Sequence, residues 1–116
     1  AENEAEVMHI VGDVQDKNVI IIDDMIDTAG TLVRATEALV RDGARRVFTA
    51  ATHAVLSGPA VQRINDSAFE SVLVTNTVLL PEEKCVPKIK VVSVAGLLGE
   101  AVKSIHEETS VSKLFV

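Results

Sequence analysis

The sequence is poor in aromatic residues, with three phenylalanines, no tyrosine and no tryptophan among its 116 residues. Its apolar bulk comes from nineteen valines and eight isoleucines, and β-branched side chains suit strands buried on both faces. Cys85 is the single cysteine, which excludes an internal disulfide framework and leads us to expect a reducing, cytoplasmic setting. Basic charge is also short: eleven Lys and Arg against seventeen Asp and Glu give a net charge of −6. A general grip on nucleic acid needs clustered Lys and Arg, so no nucleic-acid partner is expected. No apolar run approaches the ~20 residues that span a bilayer, so no membrane partner is expected either. Residues 1–6 carry Glu2, Glu4 and Glu6 and no basic residue, unlike a signal or transit peptide. What is present is ordinary globular usage, 47% hydrophobic and 24% charged, in a length that suits one domain with a modest core.

The order of apolar runs and turn residues predicts alternating strands and helices. Residues 18–23, NVIIID, carry four consecutive β-branched apolar residues and end in an acid, as in a central parallel strand. After the loop MIDTAG, residues 31–43 (TLVRATEALVRDG) predict an amphipathic helix. Leu32, Ala35, Thr36, Leu39 and Val40 fall on one face and Arg34, Glu37 and Arg41 on the other, with Gly43 as the stop. Residues 46–52 predict a second buried strand, parallel to the first through a right-handed crossover. A short helix opens at Pro59 and runs to Ile64, followed by a strand at 71–75, a polar loop at 79–87, a strand at 88–94 and a closing helix at 95–106. An extra edge strand is expected at 7–14. Alternation of this kind predicts an α/β sheet with its site at the C-terminal ends of the strands.

The most informative stretch is Val19 to Thr31, VIIIDDMIDTAGT. Asp23 and Asp24 fall where the first strand is expected to end. Successive strand side chains point to opposite faces, so both reach one ligand only if the chain bends. Two carboxylates there suit sugar hydroxyls or a hydrated Mg²⁺, which prefers oxygen ligands. The loop Asp27-Thr28-Ala29-Gly30-Thr31 then leads into a helix, whose N-terminal N–H groups and dipole favour an anion. Ala29 and Gly30 are small enough for a phosphate to approach the backbone, and Thr28 and Thr31 add hydroxyls. Together these features describe a sugar phosphate. The plainer alternatives are a helix cap at Asp27 or Thr31 and a solvated strand end at Asp23.

This stretch resembles the phosphoribosyl-diphosphate (PRPP) binding signature in the form typical of ribose-phosphate diphosphokinases, the PRPP synthetases. ATHAVLSGPAVQRI at 51–64, VTNT at 74–77, KIKVVSVAGLLGEAV at 88–102 and SVSKLF at 110–115 are similar, in the same order, to the later part of that family's C-terminal domain. Ala54 departs from the glycine that many members carry after Thr-His. The resemblance implies a partial domain, residues 1–116, of the three-layer, mostly parallel, type I phosphoribosyltransferase-like α/β fold. It implies that Asp27, Thr28, Ala29, Gly30 and Thr31 bind the 5-phosphate of ribose 5-phosphate. Asp23 and Asp24 would meet the ribose hydroxyls directly or through Mg²⁺.

In the family, the ribose 1-hydroxyl attacks the β-phosphorus of Mg-ATP to give PRPP and AMP. Ribose 5-phosphate, ATP and PRPP are therefore the expected ligands, and a homo-oligomer the expected assembly. Ser110, Ser112 and Phe115 match a tail that, in the family, contributes to a regulatory site between subunits; the structural alternative is a tail that only docks the C-terminus. The family's N-terminal domain and its Lys- and Arg-bearing flexible loop are expected upstream of Ala1. No Lys or Arg lies between Asn18 and Leu32, so this segment is expected to lack the charge to neutralise a triphosphate alone. The alternatives are a non-catalytic synthetase-associated subunit and a phosphoribosyltransferase. A phosphoacceptor receiver domain fits less well, because the later strands end in Thr52-His53 and Thr75-Asn76-Thr77 instead of an acid.

Overall fold

The computed structural model describes residues 9–115. Four strands form one parallel sheet in the order β1-β2-β3-β4: β1 (Asn18–Ile26), β2 (Arg46–Ala54), β3 (Ser71–Thr75) and β4 (Ile89–Val92). The helices are α1 (Gly30–Arg41), α2 (Ala60–Asp66) and α3 (Ala95–His106), with 3₁₀ turns at Glu82–Lys84 and Ser112–Phe115. This is the expected α/β partial domain. The strand at 18–23 does pair in parallel with the strand at 46–52, but among the described residues β1 is an edge strand and not a central one.

Strand alternation decides which side chains are buried. Val19 and Ile21 on β1, Val47, Thr49 and Ala51 on β2, and Val72 and Val74 on β3 share the face covered by Leu32 and Leu39 of α1 and Ala60 and Ile64 of α2. The buried Thr49 hydroxyl donates to the Ile21 carbonyl at 2.9 Å, so its burial leaves no polar atom unpaired. The opposite face carries Ile20, Ile22, Leu73 and Val92, all exposed among the described residues. Among the described residues the β-branched run of β1 therefore meets a helical layer on one side only.

Local chemistry explains most element ends. Gly43 has φ +95°, Ala44 N–H donates to Leu39 C=O at 2.9 Å and Gly43 N–H to Val40 C=O at 3.0 Å, the double bond of a Schellman stop. Helix α1 buries Leu32, Thr36, Ala38 and Leu39, whereas Val40 is exposed, because its position turns away from the sheet. Strand β1 runs three residues beyond the predicted end, since Asp23, Met25 and Ile26 keep pairing with Ala51, His53 and Ala54. The expected edge strand at 7–14 is not formed over 9–14, and residues 7 and 8 lie outside the described part. Gly12, at φ +104°, and the Asp13 carboxylate, accepting Gln15 N–H at 2.9 Å, turn the chain there instead.

Candidate functional site

The C-terminal end of β1 delivers the chain into the loop 27–31 and α1. Ala29 takes a left-handed conformation, φ 65° and ψ 6°, immediately before helical Gly30. A left-handed residue followed by a helical one turns successive N–H groups toward one concave side, the backbone form that accommodates anions. Among the described residues no side chain caps α1, and its first bond runs from Val33 N–H to Ala29 C=O at 3.0 Å. The N–H groups of Gly30, Thr31 and Leu32 precede that bond and have no intrahelical acceptor. Neither Asp27 nor Thr31 is the N-cap, so the capping alternative does not account for this loop. The Ala29 methyl is buried in the core; its small size serves packing, and the backbone itself faces the opening.

Asp23 and Asp27 to Thr31 line one cavity of about 140 Å³. Asp24 is exposed but does not line it, so the two acids do not converge there. The Asp23 carboxylate accepts Asp24 N–H at 2.8 Å. A second cavity of about 260 Å³, with Ile22, Leu73, Val92, Thr52 and Thr75 in its lining, shares Asp23 with the first. Asp23 thus sits between a polar hollow at the helix start and an apolar one across the strand ends. Among the described residues no group of three or more His, Cys, Asp or Glu side chains gathers as a metal cage.

The base of the loop is tied to the connection after β2. Val55 N–H and Leu56 N–H donate to Ile26 C=O at 3.1 and 3.0 Å, and Ser57 N–H to Asp27 C=O at 2.9 Å. Residues 18–32 themselves carry no Lys or Arg, but the fold brings two arginines to the loop from outside that stretch. Arg63 of α2 donates to the Thr28 carbonyl at 3.0 Å, and Arg34 of α1 makes a 3.5 Å contact with the Thr31 hydroxyl. Arg63 lies 35 residues from Thr28, so no sequence window contains both; only the βαβ crossover unites them.

The neighbouring strand ends carry hydroxyls and a histidine. Thr75 and Thr77 hydroxyls both donate to the Thr52 carbonyl, at 2.6 and 3.1 Å, and His53 Nδ1 is hydrogen-bonded to Thr77 Oγ1 at 2.8 Å. Asn76 accepts Val94 N–H at 2.9 Å and donates to Ser93 at 3.2 Å, tying β3 to the start of α3. At the C-terminus the Ser110 and Ser112 hydroxyls are 2.6 Å apart, while Phe115 is 71% exposed. Cys85 is exposed, its thiol over the Pro81 carbonyl at 3.5 Å.

The family model described as "Phosphoribosyl synthetase-associated domain" matches residues 1–116. The chain belongs to this family. Among curated relatives it is 58% identical over 113 residues to the ribose-phosphate pyrophosphokinase of Caldanaerobacter subterraneus subsp. tengcongensis, covering 97% of this chain and 36% of that protein. The Bacillus subtilis ribose-phosphate pyrophosphokinase is 54% identical, with the same two coverages. The crystal structure of phosphoribosylpyrophosphate synthetase from Mycobacterium smegmatis superposes with a TM-score of 0.83 at 46% identity, over 84% of this chain and 33% of that one. The chain spans about a third of the length of these relatives. Among its described residues no helix is long and apolar enough to cross a membrane.

Proposed function

We propose that this member of the phosphoribosyl synthetase-associated family is the ribose-5-phosphate-binding portion of a ribose-phosphate diphosphokinase, the later part of its C-terminal domain. The observation that carries the reading is the uncapped start of α1 behind left-handed Ala29, opening on a cavity lined by Asp23 and Asp27 to Thr31. Free N–H groups at a helix start suit a dianionic phosphate. The Thr28 and Thr31 hydroxyls supply further donors. Asp23, between the two cavities, accepts hydrogen bonds from the ribose hydroxyls and keeps the sugar beyond the phosphate. The sugar's 1-hydroxyl is then the group that attacks the β-phosphorus of ATP, so that PRPP and AMP leave.

Asp23 and Asp24 fit Mg²⁺ as single carboxylate ligands. Mg²⁺ commonly takes one or two carboxylates together with water and substrate oxygens, and these exposed acids have no Lys or Arg ion-pair partner among the described residues. When bound, the ion neutralises phosphate charge. In this reading the nucleotide site and the basic loop belong to the rest of a longer, oligomeric enzyme. The Ser110, Ser112 and Phe115 tail belongs to its regulatory site between subunits.

Titration of the full-length protein with ribose 5-phosphate at several Mg²⁺ concentrations tests the reading. Thr31→Val removes an exposed donor to a charged group, so affinity should fall about tenfold, near the low end of the ~1.5–3 kcal/mol such bonds contribute. Asp24→Asn removes charge at constant size, and its defect should grow as Mg²⁺ is lowered. Unchanged affinity for both variants at every Mg²⁺ level would leave 23–31 as a strand end and a helix start with no ligand.

A further inference from the structure

We infer that Arg63 is a positioning residue for the anion-binding loop: its guanidinium pins the Thr28–Ala29 peptide and supplies positive charge beside an otherwise acidic site. The inference rests on the ribose-5-phosphate reading above and deepens it. Arg63 Nη1 donates to the Thr28 carbonyl at 3.0 Å. No cis peptide bond occurs among the described residues, and in a planar trans peptide the N–H points opposite to the C=O. With the Thr28 oxygen held toward α2, the Ala29 N–H is directed to the other side of the loop. Ala29 is the left-handed residue on which the concave backbone depends, so this peptide is the one whose rotation would undo it.

The backbone that carries Arg63 is held by a second element. Ile64, next to Arg63 in sequence, is fully buried, Arg63 N–H bonds Pro59 C=O at 2.9 Å, and Ser57 N–H bonds Asp27 C=O at 2.9 Å. Both ends of the Arg63–Thr28 link are therefore anchored. Arg63 forms no ion pair with any described carboxylate, and a guanidinium has five N–H donors, so one bond to Thr28 leaves donors and charge available. Gly30 makes room for it: a Cβ there would lie 3.2 Å from Arg63 Nη1. Gly30 is helical and its φ is not positive, so clearance and not backbone conformation is what its missing side chain provides. Arg34 plays no equal part, since it reaches only a side-chain hydroxyl at 3.5 Å.

The test uses the full-length protein with Arg63→Ala and Arg63→Lys. Each is titrated with ribose 5-phosphate and with inorganic phosphate, and steady-state KM values are measured for ribose 5-phosphate and for ATP. For Arg63→Ala we expect about tenfold weaker binding of both phosphate probes, ~1.4 kcal/mol, and a raised KM for ribose 5-phosphate with the KM for ATP unchanged. Arg63→Lys keeps a charge and a donor and should recover affinity to within about threefold of wild type. An unchanged affinity in Arg63→Ala, while Thr31→Val weakens binding, overturns this inference and leaves the ribose-5-phosphate reading standing. Equal rises in both KM values with a lowered melting temperature make Arg63 a merely structural tie and also overturn it. A wild-type protein that binds neither probe overturns both readings.

Discussion

Replacing Gly30 by alanine should separate stability from binding, with opposite signs. Gly30 occupies the first helical position of α1 without a positive φ. An added methyl incurs no backbone strain there, and Gly→Ala within a helix stabilises by roughly 0.5–1 kcal/mol. The added Cβ would lie 3.2 Å from Arg63 Nη1, so the guanidinium must shift by a few tenths of an ångström. It is the end of a flexible side chain, and the shift costs little in folding. The same shift lengthens the 3.0 Å bond to the Thr28 carbonyl. Losing the ordering of one hydrogen bond, ~1–1.4 kcal/mol, should weaken ribose 5-phosphate binding about five- to tenfold. Calorimetric melting of the ligand-free full-length protein should show a midpoint unchanged or raised by roughly 1–4 °C, on ~2–4 °C per kcal/mol for a domain of ~150–250 residues. Titration of the same samples should show the weaker affinity. A lowered midpoint with unchanged affinity would refute the reasoning, since it would make Gly30 a conformational requirement of the fold.

Gly43→Ala should act on stability alone. At φ +95° a side chain is strained, and its Cβ would overlap the Gln15 amide, so a loss of about 1–2 kcal/mol is expected, read as a lower urea midpoint at constant m-value with ribose 5-phosphate affinity unaltered. The isolated 116-residue segment should make no PRPP from ATP and ribose 5-phosphate while the full-length protein does. Radiolabelled turnover by the purified segment near the full-length rate would contradict the assignment of the nucleotide site to the rest of the enzyme.

Local patterns carried the fold further than they carried the site. Helix α3 occupies 95–106 as predicted. Strand β1 was read short because Asp23 and Asp24 resemble a strand end, whereas backbone pairing with β2 continues past them irrespective of side-chain polarity. Alternation alone could not say that Ile20 and Ile22 would stand on an uncovered face among the described residues. The loop's residues were legible because Asp27 to Thr31 are contiguous. Its geometry was not: the left-handed turn falls on Ala29, a residue type that gives no warning of it. Arg63 was invisible for a different reason, since its closeness to Thr28 is a product of the crossover and not of spacing along the chain.

The parallel connectivity also constrains the order in which the site comes into being. Thr49 and Ile21, bonded across β1 and β2, stand 28 residues apart, and Arg63 and Thr28 stand 35 apart. Parallel pairs cannot zip from a tight hairpin; a long segment must close before the first cross-strand bond forms, at an entropic cost that grows with its length. The loop at 27–31 lies inside the first of those closures, and its Arg63 link requires the second. During folding, the backbone of 27–31 therefore becomes rigid only after both crossovers have docked. A short peptide bearing Val19 to Thr31 has the signature's residues but none of the tethers that give them shape.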